Sequence, residues 1–241
     1  MKARELGPKS VVVGDYINLV GDVSGAEGSL SRIVSIEPRK TVLVRTVDDA
    51  AQFERTIAAN IDQLIIVAAA TNPEPKRGLI DRFLVSAYVE GIKPILIITK
   101  TDLAKAPDFV SEYSDMGIQV ISHVKNGDLK QIRKILTGKV SVLVGHSGVG
   151  KSTLLNELTN AERITGNVNV VTGRGRHTSS SAIAVSLLDK KGRIDSQSWL
   201  IDTPGIRAFG LSHLDPDAIV AAFPDLFEIT QSCMTNCSHD E

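Results

Sequence analysis

The chain has 241 residues, 42% of them hydrophobic, and 27 Lys and Arg against 28 Asp and Glu, for a net charge of -1. That is enough to bury a sizeable core in one or two domains. The balanced charge excludes wholesale electrostatic binding to nucleic acid or membrane and leaves only local patches. No apolar run nears the roughly 20 residues that span a bilayer, the N-terminus MKARELGPKS lacks the apolar stretch of a signal peptide, and two cysteines do not make a disulfide framework. A cytoplasmic address and no membrane partner are expected.

Residues 11–47 carry short β-rich runs, VVV, YINLV, RIVSI and TVLVRTV, separated by turn residues such as Gly14-Asp15 and Pro38. Strands at that spacing point to a small barrel or sandwich, favoured over an N-terminal sheet extension of the next domain because nothing helical interrupts them. From about Asn60 strands and helices alternate. QLIIVAAA reads as a strand buried on both faces, as parallel sheets require. GLIDRFLVSAYVEG places Leu79, Ile80, Phe83, Leu84, Ala87 and Tyr88 on one helical face, with Gly91 to stop it. PILIIT and IQVIS read as strands, DLKQIRKIL as an amphipathic helix, and VSVLV, SAIAVSLL and SWLID as further strands. The alternation predicts a doubly wound α/β domain. Past Gly210 the pattern weakens; Asp215 caps a short helix with Pro216 in its first turn, running to Phe223.

Gly145-His146-Ser147-Gly148-Val149-Gly150-Lys151-Ser152 matches G-x-x-x-x-G-K-[ST] in full, after the strand VSVLV and at the head of the helix STLLNEL that begins with Ser152-Thr153. The glycines let successive backbone N–H groups face phosphate oxygens, and the helix N-terminus adds favourable partial charge. Lys151 would neutralise the terminal phosphates and Ser152 would ligate Mg²⁺. In SWLIDTPGIRAFG, Asp202 ends a strand where it can hold Mg²⁺ through water, and the Gly205 N–H can meet the γ-phosphate.

Thr99-Lys100-Thr101-Asp102 ends another strand. Alone it reads equally as a surface turn. With the phosphate loop it says guanine: the Asp102 carboxylate accepts from N1–H and the exocyclic amine, Lys100 packs over the base plane, and adenine would leave the carboxylate unpaired. Ser122-His123 could add backbone contacts to the base. The order of these motifs, base reading first and phosphate loop second, is that of a circular permutation, which chains tolerate where the original termini lie close.

In ITKTDL, VLVGHSGVGKSTLLNEL, GRGRHTSS, DTPGIRAFGL and CMTNCSH, together with GDYINLV, RIVSIEPRKTVLVR and NIDQLIIVAAATNPEP, the chain resembles the circularly permuted GTPases that act on the small ribosomal subunit, the RsgA family. The resemblance implies three parts: an OB-type β-barrel (1–57), a permuted P-loop GTPase domain of α/β class (58–211) and a C-terminal zinc-binding segment (212–241). It also implies Mg²⁺-dependent GTP hydrolysis, stimulated by the small ribosomal subunit and its rRNA and serving late subunit maturation, by a monomer. Three departures stand out. Thr99 replaces a usual Asn, which is expected to weaken the link from base to phosphate loop. The barrel shows about four of five strands. Cys233, Cys237 and His239 supply three ligands where a closed zinc site takes four, so an incomplete, poorly occupied zinc site is expected.

Ile206 follows DTPG, where Ras-like enzymes carry a water-orienting Gln; isoleucine cannot hydrogen-bond a nucleophile, so intrinsic hydrolysis is expected to be slow. ERITGNVNVVTGRGRHTSSS, with Arg163, Arg174, Arg176 and His177, reads as a switch ordered when Thr178 meets Mg²⁺ and γ-phosphate, with His177 as a candidate to orient water. Two other readings stand beside the GTPase: a nucleotide-gated rRNA-binding scaffold with slow hydrolysis, and an ATP-using phosphotransferase, which Asp102 opposes.

Overall fold

The computed structural model describes residues 11–46, 54–159, 182–188, 192–203, 209–234 and 237. β1 (Ile17–Gly21) and β2 (Ser31–Ile36) pair antiparallel as one two-stranded sheet, and β3 (Val42–Thr46) and β4 (Glu54–Ala59) form a second. The run VVV is not a strand, although Val13 makes a bridge to Ala58. Arg39 closes this N-terminal part through a forked pair with Asp15, Nε to Oδ1 at 2.7 Å and Nη2 to Oδ2 at 2.9 Å. β4 has no counterpart in the sequence reading: ERTIAA mixes charged and apolar residues without a strict period.

Four parallel strands with their helices follow. β5 (Gln63–Ala69) is buried at all seven positions, then come α1 (Arg77–Val89), β6 (Lys93–Thr99), α2 (Phe109–Asp115), β7 (Gln119–Ser122), α3 (Lys130–Leu136), β8 (Val140–Val144) and α4 (Lys151–Thr159). β9 (Ile183–Leu188) and β10 (Ile194–Asp202) complete a six-stranded sheet in the order β7-β6-β5-β8-β10-β9. β5, β6, β7, β8 and β10 run parallel, and edge strand β9 pairs antiparallel with β10. Such a sheet must be covered on both faces, and the alternation along β5 does this. Leu64, Ile66 and Ala68 pack with Phe83 and Leu84 of α1 and Tyr113 of α2. Ile65, Val67 and Ala69 pack with Ile132 of α3 and Leu154 and Leu158 of α4. Each fully buried Leu, Ile, Val or Phe among them contributes about 1.5–3 kcal/mol.

β3 and β4 are not detached from this core. Leu43 and Ala58 are fully buried in the layer that holds α1, and Gly210 bridges to Thr46. The C-terminal residues pack back on the same side, with Phe209 against Phe83 at 4.8 Å between ring centroids. α5 (Pro216–Ala221) starts as expected, the Asp215 carboxylate accepting the Asp217 N–H at 3.0 Å, but ends two residues early, and α6 (Pro224–Thr230) follows. Among the described residues no helix is long and apolar enough to cross a membrane.

Candidate nucleotide site

Because five strands run parallel, their C-terminal ends share one edge of the sheet, where α/β folds bind ligands. Val144 opens there into the phosphate loop, Thr99 into Lys100–Asp102, Ser122 into His123, and Asp202 into Thr203. Segments far apart in sequence are thereby placed side by side without any local signal between them.

The phosphate loop takes its shape from backbone that only glycine adopts freely. Gly145 has φ +147°, and a Cβ there would lie 2.2 Å from the Val67 carbonyl oxygen; Gly150 has φ +98°. Lys151, buried in the first turn of α4, donates to the carbonyls of Gly145 at 2.8 Å and His146 at 2.9 Å. Burial holds its ammonium below the usual lysine range, with Asp202 acting in the opposite direction. Asp202 is the mirror case: burial raises its carboxyl and Lys151 lowers it. The Thr203 hydroxyl donates to the Leu143 carbonyl at 2.6 Å and so fixes the start of the DTPG segment against β8.

Asp202 Oδ1 is buried and has no hydrogen-bond partner among the described residues. A buried carboxylate oxygen left open beside a lysine, with the Ser152 hydroxyl exposed at the start of α4, is a hard oxygen set that fits Mg²⁺ with retained waters. Thr178 and Gly205, the other expected contacts, lie outside the described residues, as does His177. At the C-terminus Cys233 and Cys237 are exposed. Loss of hydration and the neighbouring Cys237 raise the Cys233 thiol. His239 falls outside the described residues, and among those described no group of three or more His, Cys, Asp or Glu is placed to hold a metal.

The base side is joined to the phosphate loop directly. The Thr99 hydroxyl, in a residue 4% exposed, donates to the Val149 carbonyl at 2.5 Å, so a hydroxyl at this position reaches the loop. Lys100, at φ +57°, donates through Nζ to the carbonyls of Gly148, at 3.0 Å, and Asn72. Thr101 Oγ1 approaches the His123 carbonyl at 3.5 Å. A cavity of about 230 Å³ lies between the two halves, lined by Lys100, Asp102, His123 and Lys125 on one side and Gly150 and Thr153 on the other. Asp102 is exposed at its mouth, and Ser122 is exposed beside it. Leu103, Leu154 and Lys125 also line the cavity and were not singled out in the sequence: the two leucines sit inside quoted motifs with no polar group to mark them, and Lys125 lies two residues past Ser122-His123.

A mixed sheet in this strand order, with phosphate loop, DTPG carboxylate and base-reading loop on one edge and the base-reading loop first in sequence, defines a circularly permuted GTPase fold. The chain belongs to the RsgA GTPase family, whose model matches residues 36–212. It is 38% identical to the small ribosomal subunit biogenesis GTPase RsgA of Alcanivorax borkumensis, over 96% of this chain and 65% of that protein. Against the protein of the same name from Azobacteroides pseudotrichonymphae the identity is 31%, over 96% of this chain and 74% of the relative. The chain thus spans about two thirds to three quarters of the length of these relatives. Among solved structures it resembles YjeQ from Thermotoga maritima, with a TM-score of 0.64 and 25% identity over 98% of this chain and 76% of that one. It shares its fold with YloQ, described as a circularly permuted GTPase, at a TM-score of 0.60 and 24% identity over 98% of this chain and 71% of that one.

Proposed function

We propose that this chain hydrolyses GTP to GDP and phosphate with Mg²⁺, that the small ribosomal subunit and its rRNA stimulate it, and that it acts late in the maturation of that subunit. The observation that carries the nucleotide reading is the cavity shared by Asp102 and His123 with Gly150 and Thr153, at the head of the helix that bears Lys151. The partner is argued from the relatives, which are named as small ribosomal subunit biogenesis GTPases.

Each residue then has a task. Asp102 and Lys100 hold guanine, with Thr99, Thr101 and the Ser122-His123 backbone shaping the loop around it. The N–H groups of 145–153 bind phosphate oxygens, and Lys151 exchanges its loop carbonyls for the β- and γ-phosphates. Ser152, Thr178 and Asp202 hold Mg²⁺, which when bound neutralises charge developing on the transferred phosphoryl group. Gly205 senses the γ-phosphate, and His177 orients water in place of the glutamine that Ile206 cannot replace.

Around this domain (58–211) the reading places an OB-type barrel in 1–57 and a zinc-binding segment in 212–241. In that segment Cys233, Cys237 and His239 are ligands; the hydrogen-bonding proximity of the Cys233 and Cys237 side chains supports a shared site. The protein is read as a cytoplasmic monomer. Phosphate release measured against small-subunit concentration tests the whole: a saturable rise is expected. A flat response with intact binding would favour the nucleotide-gated rRNA scaffold, the reading that Ile206 supports.

A further inference from the structure

Glu157 lies on α4 beyond the phosphate loop and does not line the cavity. Its carboxylate nevertheless spends both oxygens on the loop that follows β7. Oε2 meets His123 Nε2 at 2.9 Å, and Oε1 accepts the Asn126 N–H at 2.8 Å. The His123 side chain is 4% exposed and that of Glu157 13%. A carboxylate withdrawn from water must be satisfied by hydrogen bonds, and two partners on one loop hold that loop in one geometry. Asn126 sits at φ +60°, a left-handed turn that needs such support. Arg133 of α3 donates to the Glu157 backbone carbonyl at 3.1 Å, which ties the next element to the same turn of α4.

We propose that Glu157 is a positioning residue for guanine recognition. It fixes the base-side loop 122–127 to the helix that begins at Lys151, so that nucleobase affinity depends on a carboxylate that never touches the nucleotide. This rests on reading the cavity as a guanine-nucleotide site. His123 and Lys125 line that cavity opposite Gly150 and Thr153, and Glu157 sets their distance from the phosphate end. With Thr99 on Val149, it forms a second tie between the two halves of the site.

The test is the ratio of GDP to ADP affinity, measured by competition against a fluorescent guanine nucleotide on the full chain. A role confined to stability would weaken both nucleotides together. Positioning predicts that E157A lowers the ratio by roughly ten-fold, the factor that one hydrogen bond to a charged group is worth. E157Q, which keeps an acceptor for Asn126 and the length of the side chain, should stay near the wild-type ratio. An unchanged ratio in E157A overturns the proposal, as does an equal loss in E157Q. Should E157A fail to fold, E157D, whose shorter side chain cannot reach both His123 and Asn126, decides by the same criterion. A wild-type protein with no preference for GDP over ADP would overturn the guanine reading itself, a result visible before any variant is made.

Discussion

The Thr99 hydroxyl donates to the Val149 carbonyl across fifty residues of sequence, at 2.5 Å. The strand end that leads to Asp102 and the loop that leads to Lys151 therefore share a buried hydrogen bond, and Thr99 also meets Gly150, where a Cβ would stand 3.6 Å from its oxygen. The two segments are thereby tied to each other directly, far apart as they are in the chain.

Replacing Thr99 by Val keeps the shape and removes the donor. The Val149 carbonyl would be left buried and unpaired, at a cost of about 1–3 kcal/mol. T99V should accordingly lower stability in urea unfolding by that amount and weaken GDP binding, while T99S, which keeps the hydroxyl, should stay near wild type. A T99V protein as stable and as tightly binding as the parent would mean the contact contributes nothing.

Much of this was legible in the residues. The uniform apolarity of QLIIVAA gave a strand buried on both faces, the 3.6-residue spacing around Phe83 gave α1, and the phosphate-loop motif carried its own strand–loop–helix context. The short helices α2 and α6 were not legible: FVSEYSD and PDLFEIT lack the basic–apolar alternation that marked the equally short KQIRKIL of α3. β4 was hidden because its burial comes from the α1 layer and not from its own pattern. In the site, motif residues could be named, but Glu157 could not: an acidic residue on a helix usually faces water, and only the fold brings His123 to it.

Asp202 carries a cost of burial. Its carboxyl is raised above the ordinary carboxylate value by burial, only partly offset by Lys151. A raised carboxyl means that the folded protein binds the proton more readily than the unfolded chain, so this group's contribution to stability falls as pH rises from the ordinary carboxylate pKa through the raised one. D202N should therefore melt no lower than wild type at neutral pH without nucleotide, and the wild type should close any gap on mild acidification. The same variant should lose the Mg²⁺-dependent tightening of GTP binding. Thermal melts across pH 4–8 beside a Mg²⁺ titration check both; a D202N protein that melts well below wild type at neutral pH would contradict the burial argument.

Two of the loop glycines, Gly145 and Gly150, should differ sharply. At Gly145 both the left-handed backbone and the 2.2 Å approach of the Val67 oxygen oppose a side chain, and the opposing atom is backbone in the central strand β5. At Gly150 the φ is also positive, but a Cβ would meet Thr99 only at ordinary contact distances from 3.6 Å. G150A should cost on the order of 1–2 kcal/mol, the strain of the left-handed region alone. G145A should cost distinctly more, because β5 or the loop must move. Parallel denaturation curves would show this ordering or its absence.

Asp102 tests the base assignment most directly. Guanine offers two donors, N1–H and the exocyclic amine, and a carboxylate offers two acceptors; an amide offers one of each. D102N should therefore lose GDP affinity by roughly ten-fold or more and improve relatively toward xanthine nucleotides, whose carbonyl replaces the amine. Because Asp102 is exposed at the cavity mouth and not in the core, its replacement should leave the melting temperature of the nucleotide-free protein unchanged, which separates recognition from folding. If the variant bound GDP as tightly as the parent, the purine would have to sit elsewhere, and the cavity between Asp102 and Gly150 would need another occupant.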